Sequence, residues 1–384
     1  LTRSDHRDLR IAGESPNNCR FGANSGAPVD YIYVVRVLVS AILCATAVLA
    51  TACGGGASVD TGSLDTGSIG VGLRGPSDLK AVVDTRGLRH VSALALDTKG
   101  RLWATISGSA THATDGVFFV PRPGARPVKV VSGLVAPLGL AWVGKQLIVS
   151  SLGRVTAYSG FAGPHFAHAR VILDGPVAGG ENNNLVLAPD GRLVMGISAS
   201  CDHCVPASQW SGSIVSFRPD GSGLAIVASH VRAAYGLAYL PGTSTLFATM
   251  NQRDDLGART PGDWLAVVRS GQDWGFPRCY GQQTRACAGQ PKPAAVLDAH
   301  AAAGGAALLA AQLGARYQTS ALVAEWQLGV VKRVALHASG ATYTGSASTF
   351  LFGFQHPLPV LAAGSSVLVG DWGSGIVYRI TPRG

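Results

Sequence analysis

The residues best suited to chemistry are few and begin near the middle of the chain. Cys201-Asp202-His203-Cys204 sets two thiols three positions apart around a histidine, a spacing open to a short disulfide or to a metal or redox site. A structural zinc needs a second ligand pair, and this stretch has none. Glu181 is the lone titratable side chain of 179–184 and precedes Asn182, Asn183 and Asn184, oxygen donors of the hard kind that calcium prefers. Further along stand Arg232, the adjacent acids Asp254 and Asp255, His300, Trp326, and the neighbours Lys332 and Arg333. Each also has a plain structural reading: turn-forming acids or partners for Arg253, a histidine satisfied in place, a polar loop around Glu181. On a strand, alternation sends Lys332 and Arg333 to opposite faces. No G-x-S-x-G elbow, H-E-x-x-H helix or phosphate-binding loop occurs, which removes the common hydrolase, metalloprotease and nucleotide signatures.

Some framework must carry these scattered residues to one place. From about residue 84 an apolar run, a tight turn and a second apolar run recur. Residues 91–106 read VSALALDTKGRLWATI, 138–150 LGLAWVGKQLIVS, 185–196 LVLAPDGRLVMG and 236–249 GLAYLPGTSTLFAT, with weaker copies about 306–324 and 359–371. Alternating apolar residues make strands buried on at least one face, and Asp-Gly, Pro-Gly or Lys-Gly supplies turns in which positive φ costs little. A period of roughly 40–50 residues is one four-stranded blade per repeat. Residues 81–384 are therefore expected to form an all-β, six-bladed propeller. A β-sandwich with a second β-domain is the alternative, but a sandwich has no reason to repeat a phrase. The Ala-rich stretch 299–313 is weakened as a helix by Gly304 and Gly305.

Of 384 residues, 47% are hydrophobic and 14% charged, too apolar a balance for intrinsic disorder. The 50 glycines follow no triplet period, so collagen is excluded. Lys and Arg exceed Asp and Glu by 31 to 22, a net charge of +9, yet the arginines are scattered singly. Nucleic-acid proteins concentrate charge on one stripe or face, so no nucleic-acid partner is expected.

The N-terminal region reads as an address. Arg36 precedes an unbroken apolar run over 37–49, the layout of a signal peptide over 34–52. Leu49-Ala50-Thr51-Ala52-Cys53-Gly54 resembles the lipobox of bacterial lipoproteins, with the leucine one place early, so Cys53 is expected to carry a lipid that holds the protein at the membrane. An uncleaved transmembrane anchor, which needs about 20 apolar residues, and a plain secretory signal are the alternatives. Residues 53–80 suit a Gly/Ser/Thr-rich tether. Residues 1–33 fit no signal design and read as an extension upstream of a start near Val34 or Val35. Setting aside Cys19, Cys44 and Cys53 leaves Cys201, Cys204, Cys279 and Cys287. Outside the cytoplasm four cysteines imply two disulfides with three possible pairings; the local pairs, Cys201 with Cys204 and Cys279 with Cys287, are expected.

Beyond architecture, six phrases occur in order: LVLAPDGRLV (185–194), SCDHC (200–204), SFRPDGSG (216–223), ASHVRAAYGLAY (228–239), NQRDDLG (251–257) and WGFPRCYG (274–281). Together they resemble the glucose/sorbosone dehydrogenase family, six-bladed propellers that use pyrroloquinoline quinone. The resemblance covers about a quarter of the chain and is faint over the other blades.

It implies a quinone lying in the central channel beside a calcium ion, with a histidine base that takes a proton from the sugar hydroxyl. Where that histidine is expected the chain has 179–184, so Glu181 stands in the place of the base. Arg232 falls on a quinone-contacting arginine, although Ala233 replaces its usual polar partner. Asp254 and Asp255 match an acidic turn near the calcium. Trp326 is what remains of a Trp-Asn-Arg phrase and is expected to line the channel, with Lys332 or Arg333 replacing the arginine that grips the cofactor. His300 falls near the channel mouth. The implied function is an envelope-anchored, quinone-dependent sugar or sorbosone dehydrogenase with an altered site and a sugar-like ligand. A non-catalytic propeller binding a glycan, small molecule or protein is the alternative, and a calcium-dependent lactonase a third.

Overall fold

The computed structural model describes residues 65–108, 111–175, 181–281 and 285–384. The signal segment, Cys53 and the tether up to residue 64 lie outside the described residues. Among those described, no helix is long and apolar enough to cross a membrane.

The strands form six sheets, antiparallel except where Gln272–Asp273 pairs parallel to Ala225–Ser229. Their innermost hairpins are Val91–Leu96 with Leu102–Ile106, Gly139–Val143 with Gln146–Ser151, and Asn182–Leu187 with Leu193–Ile197. Ala233–Tyr239 with Leu246–Asn251, Ala303–Leu309 with Ser320–Glu325, and Pro357–Ala363 with Ser366–Asp371 complete the set. Each coincides with one copy of the repeated phrase, and the Asp-Gly, Pro-Gly and Lys-Gly pairs fall in the turns between its two strands. The first strand of every blade touches the first strand of the next, and the sixth returns to the first, so the blades close a ring. The Ala-rich 299–313 supplies the inner strand Ala303–Leu309 of blade 5, wholly buried, rather than a helix.

Packing at the axis explains the small residues there. A Cβ on Gly236 would lie 2.5 Å from the Gly304 carbonyl oxygen, and one on Gly304 would lie 2.9 Å from that of Leu358. Between them Thr249 donates its hydroxyl to Gly304 at 2.8 Å and accepts the Gly236 N–H at 2.7 Å. Only bare backbone fits where neighbouring inner strands converge so closely.

Ring closure uses the two ends of the propeller. Leu79–Arg86 is the outermost strand of blade 6 and pairs with Ile376–Pro382. Within the tether expected over 53–80, the part from Thr66 onward is strand rather than linker. Thr66–Gly70 and Leu73–Pro76 form a hairpin on the edge of blade 5, and Ile69, Leu73 and Leu79 are each at most 1% exposed in its core. Spaced apolar residues among glycines were enough to dock this segment once blade 5 offered an open edge.

Two buried carboxylates staple adjacent blades. Asp115, ahead of the third strand of blade 1, accepts the N–H of Gly108 in its own blade and that of Ala136 leading into blade 2. Asp263, at the same place in blade 4, accepts Gln252 N–H at 2.7 Å and Ala303 N–H of blade 5 at 2.9 Å. A short acid there satisfies donors that loop backbone would otherwise leave bare.

Candidate functional site

Antiparallel order puts the residues before each first strand and those after each second strand on one face of the ring. Glu181, Arg232, His300, His90 and His356 occupy the first kind of position, and Asp202, Asp254, Asp255, Trp326 and Trp372 the second. The predicted residues 181, 232, 254, 255, 300 and 326 thus share one mouth although they span about 150 positions.

Blades 3 to 5 form a charged half. Arg232 pairs with Asp202, whose other oxygen accepts the N–H groups of Asp254 and Asp255 at 2.9 and 3.0 Å. Asp255 takes both Nε and Nη2 of Arg253 at 2.6 Å, hydrogen bonds that hold its carboxyl down at about 2. The Asp254 carboxylate faces His300 at 3.2 Å, and burial raises its pKa. The Cys201–Cys204 disulfide brackets Asp202, and Cys279 pairs with Cys287, so both local pairs form. Glu181 is half-buried; burial pushes its carboxyl up to about 7 although the Arg232 charge draws it down.

Below Glu181 the shaft is crossed. Tyr235 and Ser92 both sit at irregularities in their inner strands, and the Tyr235 hydroxyl donates to the Ser92 carbonyl at 2.8 Å. Blades 4 and 1 are opposite in a ring of six, so this bond spans the axis. Burial raises the phenol well above its ordinary pKa, which keeps it a donor.

Blades 5, 6 and 1 form an aromatic half, of which the sequence pointed only to Trp326. Trp326 stacks on His356 with centroids 4.0 Å apart, Trp372 meets Trp326 edge-on at 5.4 Å, and His90 lies 4.2 Å from Trp372. Backbone bonds run through the same residues: His90 N–H to the Trp372 carbonyl, and Trp372 N–H to that of His356. Trp326 is buried beneath, while His90, His356 and Trp372 are half-buried. Burial lowers the pKa of His90, so the ring is neutral at neutral pH.

Lys332 and Arg333 do not reach this mouth. Lys332 is buried on the flank, 2.7 Å from Asp298 and 3.9 Å from Glu325, a carboxyl that burial lifts to about 7. Arg333 turns to the other face of its strand, bonding Ser320 and the Arg316 carbonyl.

The donor set can be tested against the quinone and calcium. Pyrroloquinoline quinone is a tricarboxylate and needs cations free to receive it. Of those expected, Arg232 is held by Asp202, His300 by Asp254, Lys332 by Asp298, and Arg333 lies elsewhere. Asp255 is fully engaged by Arg253, and no three His, Cys, Asp or Glu side chains among the described residues group to hold a metal ion. The cations expected to receive the quinone are each engaged elsewhere and do not fit it.

No protein-family model and no curated protein matches this sequence. Solved structures do match. The pyrroloquinoline quinone-bound aldose sugar dehydrogenase of Streptomyces coelicolor superposes with a TM-score of 0.64 at 18% identity, over 80% of this chain and 99% of that one. The holo pyranose dehydrogenase quinone domain of Coprinopsis cinerea gives 0.65 at 15% identity, over 80% and 97%. The calcium structure of the Trichoderma reesei family AA12 enzyme gives 0.66 at 13% identity, over 80% and 96%. At such identity the likeness is one of fold: the chain is built on the six-bladed propeller of the quinone-dependent sugar dehydrogenases.

Proposed function

We propose that this chain binds a neutral, sugar-like ligand at the mouth of its propeller, without redox chemistry. The observation that carries the reading is the pairing of the rim cations. Arg232 and His300 each already face a carboxylate, so neither offers an unpaired charge at the mouth to a tricarboxylate cofactor. Trp372, half-buried against the His90 and His356 imidazoles, gives the other half an aromatic surface edged by polar atoms, the kind on which a pyranose ring rests. Two disulfides support an extracytoplasmic address; lipid attachment at Cys53 remains part of the proposal.

Titrating the purified protein with pyrroloquinoline quinone and calcium, followed by absorbance and by dye reduction with aldoses, tests this against the dehydrogenase reading. No quinone spectrum and no dye reduction are expected, while calorimetry with mono- and disaccharides should detect binding that Trp372→Ala weakens about tenfold or more. Quinone-dependent turnover would overturn the proposal. The dehydrogenase reading keeps one specific support, the Glu181 carboxyl at about 7, poised for proton transfer near neutral pH.

A further inference from the structure

Arg232 turns only part of its guanidinium to Asp202. Its Nε–H is buried and has no acceptor among the described residues. Two more donors share that condition, the indole N–H groups of Trp264 and Trp274, on side chains that are each 2% exposed. All three residues line one small cavity between blades 3 and 4, with Gln252, Arg253 and Tyr280 around them. No Asp or Glu lines it. Trp274 is carried there by a two-residue strand, Gln272–Asp273, that adds to the outer edge of blade 3, and Trp264 by the third strand of blade 4.

Indole and guanidinium groups donate and cannot accept. A buried donor left without a partner costs about 1–3 kcal/mol, so three around one cavity call for an acceptor. Water would accept from two of them and bring hydrogens that themselves need acceptors. A monovalent anion accepts from every side and brings no hydrogens of its own. The space admits one small ion, too little for sulfate or a sugar. We infer that this cavity is a binding site for a small monovalent anion of halide size. It is independent of whatever occupies the mouth, and an anion here would fix the far side of Arg232 while Asp202 fixes the near side.

Crystals of the wild-type protein grown in bromide test the site directly, since bromide scatters anomalously. A peak within hydrogen-bond distance of both indole nitrogens is expected; its absence from the cavity at molar bromide overturns the inference. In parallel, bromide should raise the melting temperature at constant ionic strength, and Trp264→Phe or Trp274→Phe should each weaken the apparent Kd about tenfold or more while keeping the ring. Unchanged bromide affinity in both variants overturns it as well, and the anomalous map decides if the variants do not fold.

Discussion

The two halves of the mouth solve the same packing problem with different chemistry. In blades 3 to 5 the loops are tied by ion pairs and by a carboxylate, Asp202, that holds a neighbouring loop through two backbone N–H groups. In blades 5, 6 and 1 they are tied by stacked rings and backbone bonds. A charge satisfied inside the protein is a structural part. A half-buried ring such as Trp372 is where the proposed ligand would rest. The family-like phrases lie in the first half, whereas the proposed binding surface lies in the second.

Exchanging roles between the halves would break that comparison. The largest effect on stability is expected from Asp202→Ala, which strands the Arg232 charge and two N–H groups. Chemical denaturation should show a loss of about 3 kcal/mol, with saccharide affinity little changed. Trp372→Ala should weaken saccharide binding about tenfold, which Asp202→Ala should not, and should cost about 2–3 kcal/mol because the ring packs on His90 and Trp326 and donates to the Ser107 carbonyl, read by calorimetry and denaturation on the same sample.

Acidity sharpens the contrast. Asp263 has its carboxyl lifted by burial to about 7, as does Glu325, so the folded protein binds protons that the unfolded chain releases between about pH 4 and 7. Stability should therefore fall as pH rises through that window, and the deficit should be full above about pH 7. Asp263→Asn should flatten the curve by on the order of 1–3 kcal/mol, and Trp372→Ala should leave its shape alone. A profile rising from pH 4 to 7 would contradict the burial argument. The smallest effect is expected across the axis: Tyr235→Phe removes the hydroxyl bonded to Ser92 and should cost about 1–2 kcal/mol, seen as a modest drop in melting temperature.

Much of the ring was legible in the chain, because blades are local. An inner hairpin such as 185–196 needs only two apolar runs and an Asp-Gly turn, all within a dozen residues. Closure was not legible, since Leu79–Arg86 meets Ile376–Pro382 across some 300 positions and neither strand shows a preference for that partner. Of the site, Arg232, Asp254 and His300 could be placed at the mouth from motif alone. Their neutralisation could not, because Asp202 reaches Arg232 through a loop whose path depends on a neighbouring blade. Of the aromatic half only Trp326 was named, because His90, His356 and Trp372 belong to blades where the family phrases fade. One signal was available: the residue just before a repeated inner strand is polar in four blades, His90, Glu181, Arg232 and His356.

By itself the sequence determined the strand period, the turns and hence the six blades, all set by side chains within hydrogen-bonding reach of one another along the chain. Which charges stay free and which rings face solvent was decided only when the ring closed. A guanidinium is a ligand or a rivet according to what stands within 3 Å of it, and for Arg232 that neighbour comes from another blade.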